Sequence, residues 1–93
     1  MSTALEKRWF AAVASLESCV LCRRYGVQVA HSNQHRGMGQ KAPPYMTAAL
    51  CPQCHYEIDN GRDLSQAERR ERMDYAITMT HCKLIQLGKL VLV

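Results

Sequence analysis

Cys51-Pro52-Gln53-Cys54-His55-Tyr56-Glu57-Ile58-Asp59 is the stretch on which the fold turns, and Cys19-Val20-Leu21-Cys22 is its counterpart upstream. In each, two thiols three positions apart can point at one tetrahedral ion, and twenty-eight residues separate the two pairs. Two such pairs in 93 residues argue for a four-cysteine zinc site rather than for small buried hydrophobes or a redox pair. Four thiolates leave the ion no open position, so Cys19, Cys22, Cys51 and Cys54 are expected to hold a structural Zn²⁺. A chain this short buries a limited core, and a metal staple supplements it. Cys82 has no partner at ligand spacing and reads as a buried or partly buried free thiol.

Working outward, Pro52 suits the first position of a helix that carries His55, Tyr56, Ile58 and Asp59 and stops before Gly61. Thr47-Ala48-Ala49-Leu50 reads as a short strand leading into it. Val27-Gln28-Val29-Ala30-His31 alternates apolar and polar residues as a half-buried strand does, which puts His31 at a strand end. Between them, residues 32–47 include Asn33, Gly37, Gly39, Pro43 and Pro44, show no periodicity, and read as a long working loop.

The flanks are helical. Thr3 with Glu6 forms a capping-box pattern ahead of Leu5, Trp9, Ala12, Val13 and Leu16, which predicts a helix over 4–17 with Trp9 as scaffold. Ser65 with Glu68 repeats the pattern, and Met73, Ile77, Thr80, Leu84 and Leu87 predict the longest helix over 66–87. Gly88 suits its C-terminal cap, and Leu90-Val91-Leu92-Val93 is β-prone, a terminal strand for another element or another subunit. The expected fold is one α+β domain over residues 1–93. Its core, 19–61, is a β-hairpin and short helix around zinc, and the two longer helices support it.

The formal charge is +4, and its placement is uneven. Up to Lys41 there are six Lys/Arg against two acids, whereas the remainder balances at six against six. The excess lies in the half with the first cysteine pair and the histidine-rich loop, where attraction to phosphates is useful. No long apolar run or leader-like segment is present and the cysteine number is odd, so a reducing, cytoplasmic setting with no membrane span is expected.

His55 and Asp59, one helical turn apart, share a face, and an imidazole with a carboxylate is a workable half-site for a divalent cation that also meets phosphate oxygen. His31, leaving the first knuckle on a strand, can face His55 across the zinc-pinned unit. As a neutral base it would take a proton from water while the cation offsets charge on a phosphate, the division of labour of a hydrolytic nuclease. The alternative is a core histidine bonded to backbone. Arg36, Lys41 and the loop glycines can cradle phosphate, or form an ordinary flexible loop. Arg23 and Arg24 can contact a nucleic-acid backbone. Arg69, Arg70 and Arg72 are interleaved with Glu68, Glu71 and Asp74, which favours a solvated, salt-bridged face.

Taken together, Cys-x2-Cys, Ala30-His31-Ser32-Asn33, Gly37-Met38-Gly39-Gln40-Lys41 and Ala49-Leu50-Cys51-x2-Cys54-His55-x-Glu57-Ile58-Asp59 resemble the small HNH-type nucleases of bacteriophages and prophages, the YbcO-like group. The similarity spans roughly residues 19–61; the flanking helices match only in length. The resemblance implies a ββα-metal (His-Me finger, treble-clef-like) fold and Mg²⁺- or Mn²⁺-dependent endonuclease action on DNA in phage processing, recombination or repair. It also implies His31 as general base and His55 and Asp59 as cation ligands. Two positions depart from the pattern: Ala30 and Pro44 stand where relatives have acidic residues, so Asn33, His35 or water must complete the ligand set. Two rival readings follow, a catalytically silent zinc module that binds DNA, and a protein-interaction module whose Met73-to-Leu87 stripe forms a homodimer or partner face.

Overall fold

The computed structural model describes residues 3–32 and 43–91, in the order α1 (Ala4–Ala14), β1 (Gln28–His31), β2 (Thr47–Leu50), α2 (Pro52–Asn60) and α3 (Gln66–Gln86). The expected α+β composition is present. The strands form an antiparallel two-stranded sheet in the register Gln28 with Leu50, Val29 with Ala49, Ala30 with Ala48 and His31 with Thr47.

All four residues of β2 are buried, and the period-two alternation of a strand sends them to two cores. Ala48 and Leu50 join Ala30, Ile58, Met73, Ala76 and Ile77, together with Cys19 and Cys51. Ala49 joins Val13 of α1 and Leu84 of α3, with Trp9, Ala12, Leu16 and Val29 packed around them. The small side chains of β2 let α3 lie close against it. Thr80 completes the contact: its hydroxyl accepts the outward-facing Ala49 N–H at 3.1 Å and donates to the Ala76 carbonyl at 2.7 Å. Val20 N–H occupies the Ala49 carbonyl at 3.1 Å, so this outer edge of β2 is satisfied from both sides.

Both capping boxes form as expected, Thr3 with Glu6 and Ser65 with Glu68. Helix α1 ends at Ala14, earlier than the periodicity suggests. Ser15 is its C-cap, Glu17 turns to φ 67°, and the Glu17 carbonyl accepts Gly26 N–H at 2.7 Å. The chain must leave the helix there to bring Ser18 opposite Tyr25 and open the knuckle. Helix α3 ends in a Schellman arrangement: Gly88, at φ 72°, donates to Ile85, and Lys89 donates to Leu84. Leu90 folds back onto the second core, and Val91 is not in a strand. The expected terminal strand therefore does not extend through these two residues, and Leu92 and Val93 lie outside the described ones.

The α3 stripe is core. Met73, Ala76, Ile77, Thr80 and Leu84 are buried, whereas Leu87 is exposed. An interaction surface built on that stripe would have to displace the sheet. Cys82, expected to be at least partly buried, is exposed, because it falls on the helix side opposite Thr80 and Leu84. No helix among the described residues is long and apolar enough to cross a membrane.

Candidate functional site

The first cysteine pair sits on a tight knuckle. Cys19 N–H donates to the Arg24 carbonyl at 2.9 Å, Arg23 N–H donates to the Cys19 carbonyl at 2.9 Å, and Arg23 adopts φ 66° to close the turn. The second pair starts α2. Cys51 is its N-cap, Pro52 follows at the first helical position, and the Cys51 Sγ accepts Cys54 N–H at 3.4 Å. β2 delivers Cys51 to the knuckle, and the ligand sulfurs of Cys19, Cys22, Cys51 and Cys54 all lie within 4.8 Å of one another. The Cys22 and Cys51 sulfurs are 3.5 Å apart, and all four are free thiols. A tetrahedral ion with metal–sulfur bonds near 2.3 Å needs sulfurs about 3.8 Å apart, so the cluster fits a zinc-sized soft cation.

The thiols are electrostatically prepared. Burial works against ionising Cys19, but backbone N–H groups of Cys22, Cys51 and Leu21 and the Cys22 thiol outweigh it and bring Cys19 down to about 7. Burial pushes Cys54 the other way, helped by the thiols of Cys51, Cys22 and Cys19 and by charge on Cys19. Without a cation, charge is favoured on Cys19 and resisted on Cys54. A bound dication is what permits four thiolates together.

His55 lies in the first turn of α2, beside the thiols. Its Nδ1 is 2.9 Å from Gln28 Oε1, and its Nε2 is 3.1 Å from Asp59 Oδ2. If Nδ1–H donates to the Gln28 oxygen, a neutral ring presents a bare Nε2 to a carboxylate. Such a pair is satisfied by a proton or by a cation that both atoms ligate. Two ligands in adjacent positions of an octahedral ion at about 2.1 Å stand about 3.0 Å apart, close to the observed separation.

Asp59 also lines a cleft of about 220 Å³ with His31, Ile58, Gln66, Arg69, Arg70 and Met73. His31 is exposed at the end of β1, with its ring 5.4 Å from that of Phe10. His31 is thus not the buried core histidine of the alternative reading: it is exposed, its ring packs edge-on to Phe10 of α1, and the residue contributes to the rim of the cleft. The expected direct apposition of His31 and His55 takes a different form: Asp59 is the shared member, paired with His55 on one side and lining the cleft with His31 on the other.

Other expected residues distribute as follows. Arg23 and Arg24 are exposed on the knuckle and do not line the cleft. Asn33, His35, Arg36 and Lys41 lie outside the described residues. Trp9 is scaffold: its Nε1–H donates to Thr47 Oγ1 at 2.9 Å, and its ring meets Tyr45 and His81 edge-on. Ala30 is fully buried in the core and offers no ligand atom, and the Pro44 carbonyl accepts the Thr47 hydroxyl.

Sequence reasoning overlooked two features. Gln28, the partner of His55, is signalled only by its register opposite Leu50, next to the knuckle. Arg69 and Arg70, read as part of a solvated, salt-bridged face, also line the cleft. The short 61–65 link obliges the start of α3 to lie beside the end of α2, where Asp59 sits. Compared with protein-family models, curated proteins and solved structures, the chain matches none.

Proposed function

We propose that this chain is an HNH-type, ββα-metal endonuclease that hydrolyses DNA phosphodiester bonds with the help of a divalent cation. The observation that carries the reading is the 3.1 Å pair of His55 Nε2 and Asp59 Oδ2, whose carboxylate residue shares a cleft with an exposed His31. The knuckle, hairpin and helix assembled around four thiols are the arrangement a treble-clef-like ββα-metal unit requires. The YbcO-like phage and prophage nucleases remain the group the motif resembles, and a cytoplasmic role in phage DNA processing, recombination or repair accords with that.

In the proposed reaction His31 accepts a proton from water as the water oxygen bonds to phosphorus, and the bond to the leaving oxygen breaks, that oxygen taking a proton from solvent. His55 and Asp59 would hold Mg²⁺ or Mn²⁺, which when bound would offset negative charge on the phosphate and the leaving oxygen. Gln28 orients the His55 ring by holding Nδ1. The zinc held by the four cysteines is structural in this scheme and keeps the first turn of α2 in place.

Plasmid nicking by zinc-loaded protein in Mg²⁺, Mn²⁺ and EDTA tests the proposal. Metal-dependent nicking that disappears in His31→Ala supports it. A folded, zinc-replete wild type that cuts neither single- nor double-stranded DNA sinks it. A second reading, a zinc module that binds DNA without cutting it, is favoured by buried Ala30 and by Pro44, which leave two ligand positions without carboxylates. That reading expects binding that survives His31→Ala and weakens steeply with salt.

A further inference from the structure

We propose that Arg69 and Arg70 form the phosphate-gripping side of the cleft and bind a backbone phosphodiester of a polynucleotide opposite His31 and Asp59. The inference rests on the nuclease reading only for the identity of the anion; the anion site itself follows from the two arginines.

These are consecutive residues near the start of α3, yet both line the cleft, so the helix presents its first turns to it edge-on. The Arg69 guanidinium is anchored at one corner, where Nη1 donates to the Asp59 carbonyl at 3.2 Å. Its Nε is buried and has no hydrogen-bond partner among the described residues. A buried, charged N–H without an acceptor is disfavoured, and a guanidinium is a planar fork whose adjacent donors match two oxygens of one phosphate. The Asp59 carbonyl thus anchors one corner of the fork beside the cleft.

Charge agrees with this. Two arginines and one aspartate are among the lining residues, and Arg70 and Asp59 are also engaged by neighbours within the protein. Of the acids interleaved with these arginines, Glu68 is turned back onto Ser65 N–H at 3.0 Å as part of the capping box, and the arginine that bears on its charge is Arg72. Gln66, at the first position of α3, also lines the cleft, so the positive end of the helix dipole lies on the same side. The cleft therefore combines a candidate base, a candidate cation ligand and an anion grip.

The test is binding of a fluorescein-labelled DNA duplex to the full zinc-loaded chain, followed by anisotropy over a salt series, with Ca²⁺ replacing the catalytic ion. Arg69→Gln and Arg70→Gln are each expected to raise Kd about tenfold and to lower the salt slope by about one. Arg72→Gln, on the same helix and not among the cleft-lining residues, is expected to change Kd by less than about twofold. Arg69→Lys keeps the charge without the fork, and should bind more weakly than wild type at an unchanged salt slope. The proposal fails if both Gln variants bind like wild type, if Arg72→Gln loses as much as they do, or if the wild type does not bind the duplex. Should Arg69→Gln lose its zinc or its helical circular dichroism, Arg70→Gln decides alone. A wild type that binds through these arginines but never cuts overturns the nuclease reading and leaves this one standing. One that cuts equally well without them does the reverse.

Discussion

His55 Nε2 and Asp59 Oδ2 stand 3.1 Å apart on one face of α2, while His55 Nδ1 is held 2.9 Å from Gln28 Oε1 across on β1. Helix and hairpin thus meet at one imidazole, with one nitrogen engaged by the scaffold and the other paired with a carboxylate. Removing either neighbour should act differently. Asp59→Asn is expected to lower metal-dependent nicking at least about 100-fold at fixed cation, with zinc content unchanged. Gln28→Leu is expected to weaken cation affinity about 10- to 100-fold, and raising the cation concentration should recover the rate. Titrations of nicking rate against Mn²⁺ distinguish the two, and equal losses that no cation concentration restores would refute the assigned roles.

Zinc should be a condition of folding. Structural zinc sites contribute on the order of 10 kcal/mol, comparable to the whole stability of a domain this size. Chelation, or Cys51→Ser, is expected to abolish the cooperative thermal transition. Cys82→Ser should leave a stoichiometry of one zinc per chain and the same melting temperature, because Cys82 is exposed and outside the cluster. Elemental analysis and calorimetry check both.

The pH dependence has a definite sign. Burial opposes ionisation of Cys19, but the backbone N–H groups around it lower it from 9.0 to about 7. A depressed value stabilises the folded form fully above pH 9.0, and that contribution is lost as the pH falls through about 7. Cys54, raised by burial and by its thiol neighbours, acts in the opposite sense in the metal-free chain: its contribution is present below 9.0 and is lost on raising the pH through its folded value. With zinc bound the thiolates dominate. Release of zinc to a chromogenic chelator should accelerate between about pH 8 and pH 6, and a rate independent of pH would contradict the four-thiolate site.

Thr80 links α3 to the outer edge of β2. Thr80→Val keeps the shape but strands the buried Ala49 N–H, at a cost of about 1–3 kcal/mol. Leu84→Ala in the second core should cost about 2–5 kcal/mol. Denaturant melts of the zinc-loaded protein give both values, and a neutral Thr80→Val would show that the strand edge does not depend on this hydroxyl.

At the start of α3, the Ser65 backbone N–H and hydroxyl hold the Glu68 carboxyl below its usual 4.5, and Arg72 adds to the effect. The box should therefore be intact above pH 4.5 and weaken as the pH falls below it. Ser65→Ala is expected to cost about 1 kcal/mol at neutral pH, and to cost less in acid, where the Glu68 arm is already lost. A cost that does not change with pH would mean that the carboxylate contributes nothing.

Local chemistry set by nearby residues is legible in the chain itself. The two Cys-x-x-Cys pairs, the proline that starts α2, both capping boxes and the His55–Asp59 turn depend on contacts within a few positions, and each is found where the spacing places it. The α3 stripe is readable as an apolar face, although only the fold shows that the sheet and not a partner covers it. The early end of α1 is not readable, since the knuckle and not helix propensity decides where that chain turns.

What the sequence alone determined is the kind of atoms available: four soft sulfurs, an imidazole with a carboxylate one turn away, and a second imidazole at a strand end. Only the tertiary structure decided which of these share a space. It paired Asp59 with His55, set Gln28 against His55 Nδ1, and put Asp59, His31, Arg69 and Arg70 around one cleft. The reason is physical. Periodicity records which face of an element is apolar, but the meeting of polar side chains from β1, α2 and α3 is set by sheet register and by where the link after Gly61 lets α3 begin, and neither leaves a pattern in the residues themselves.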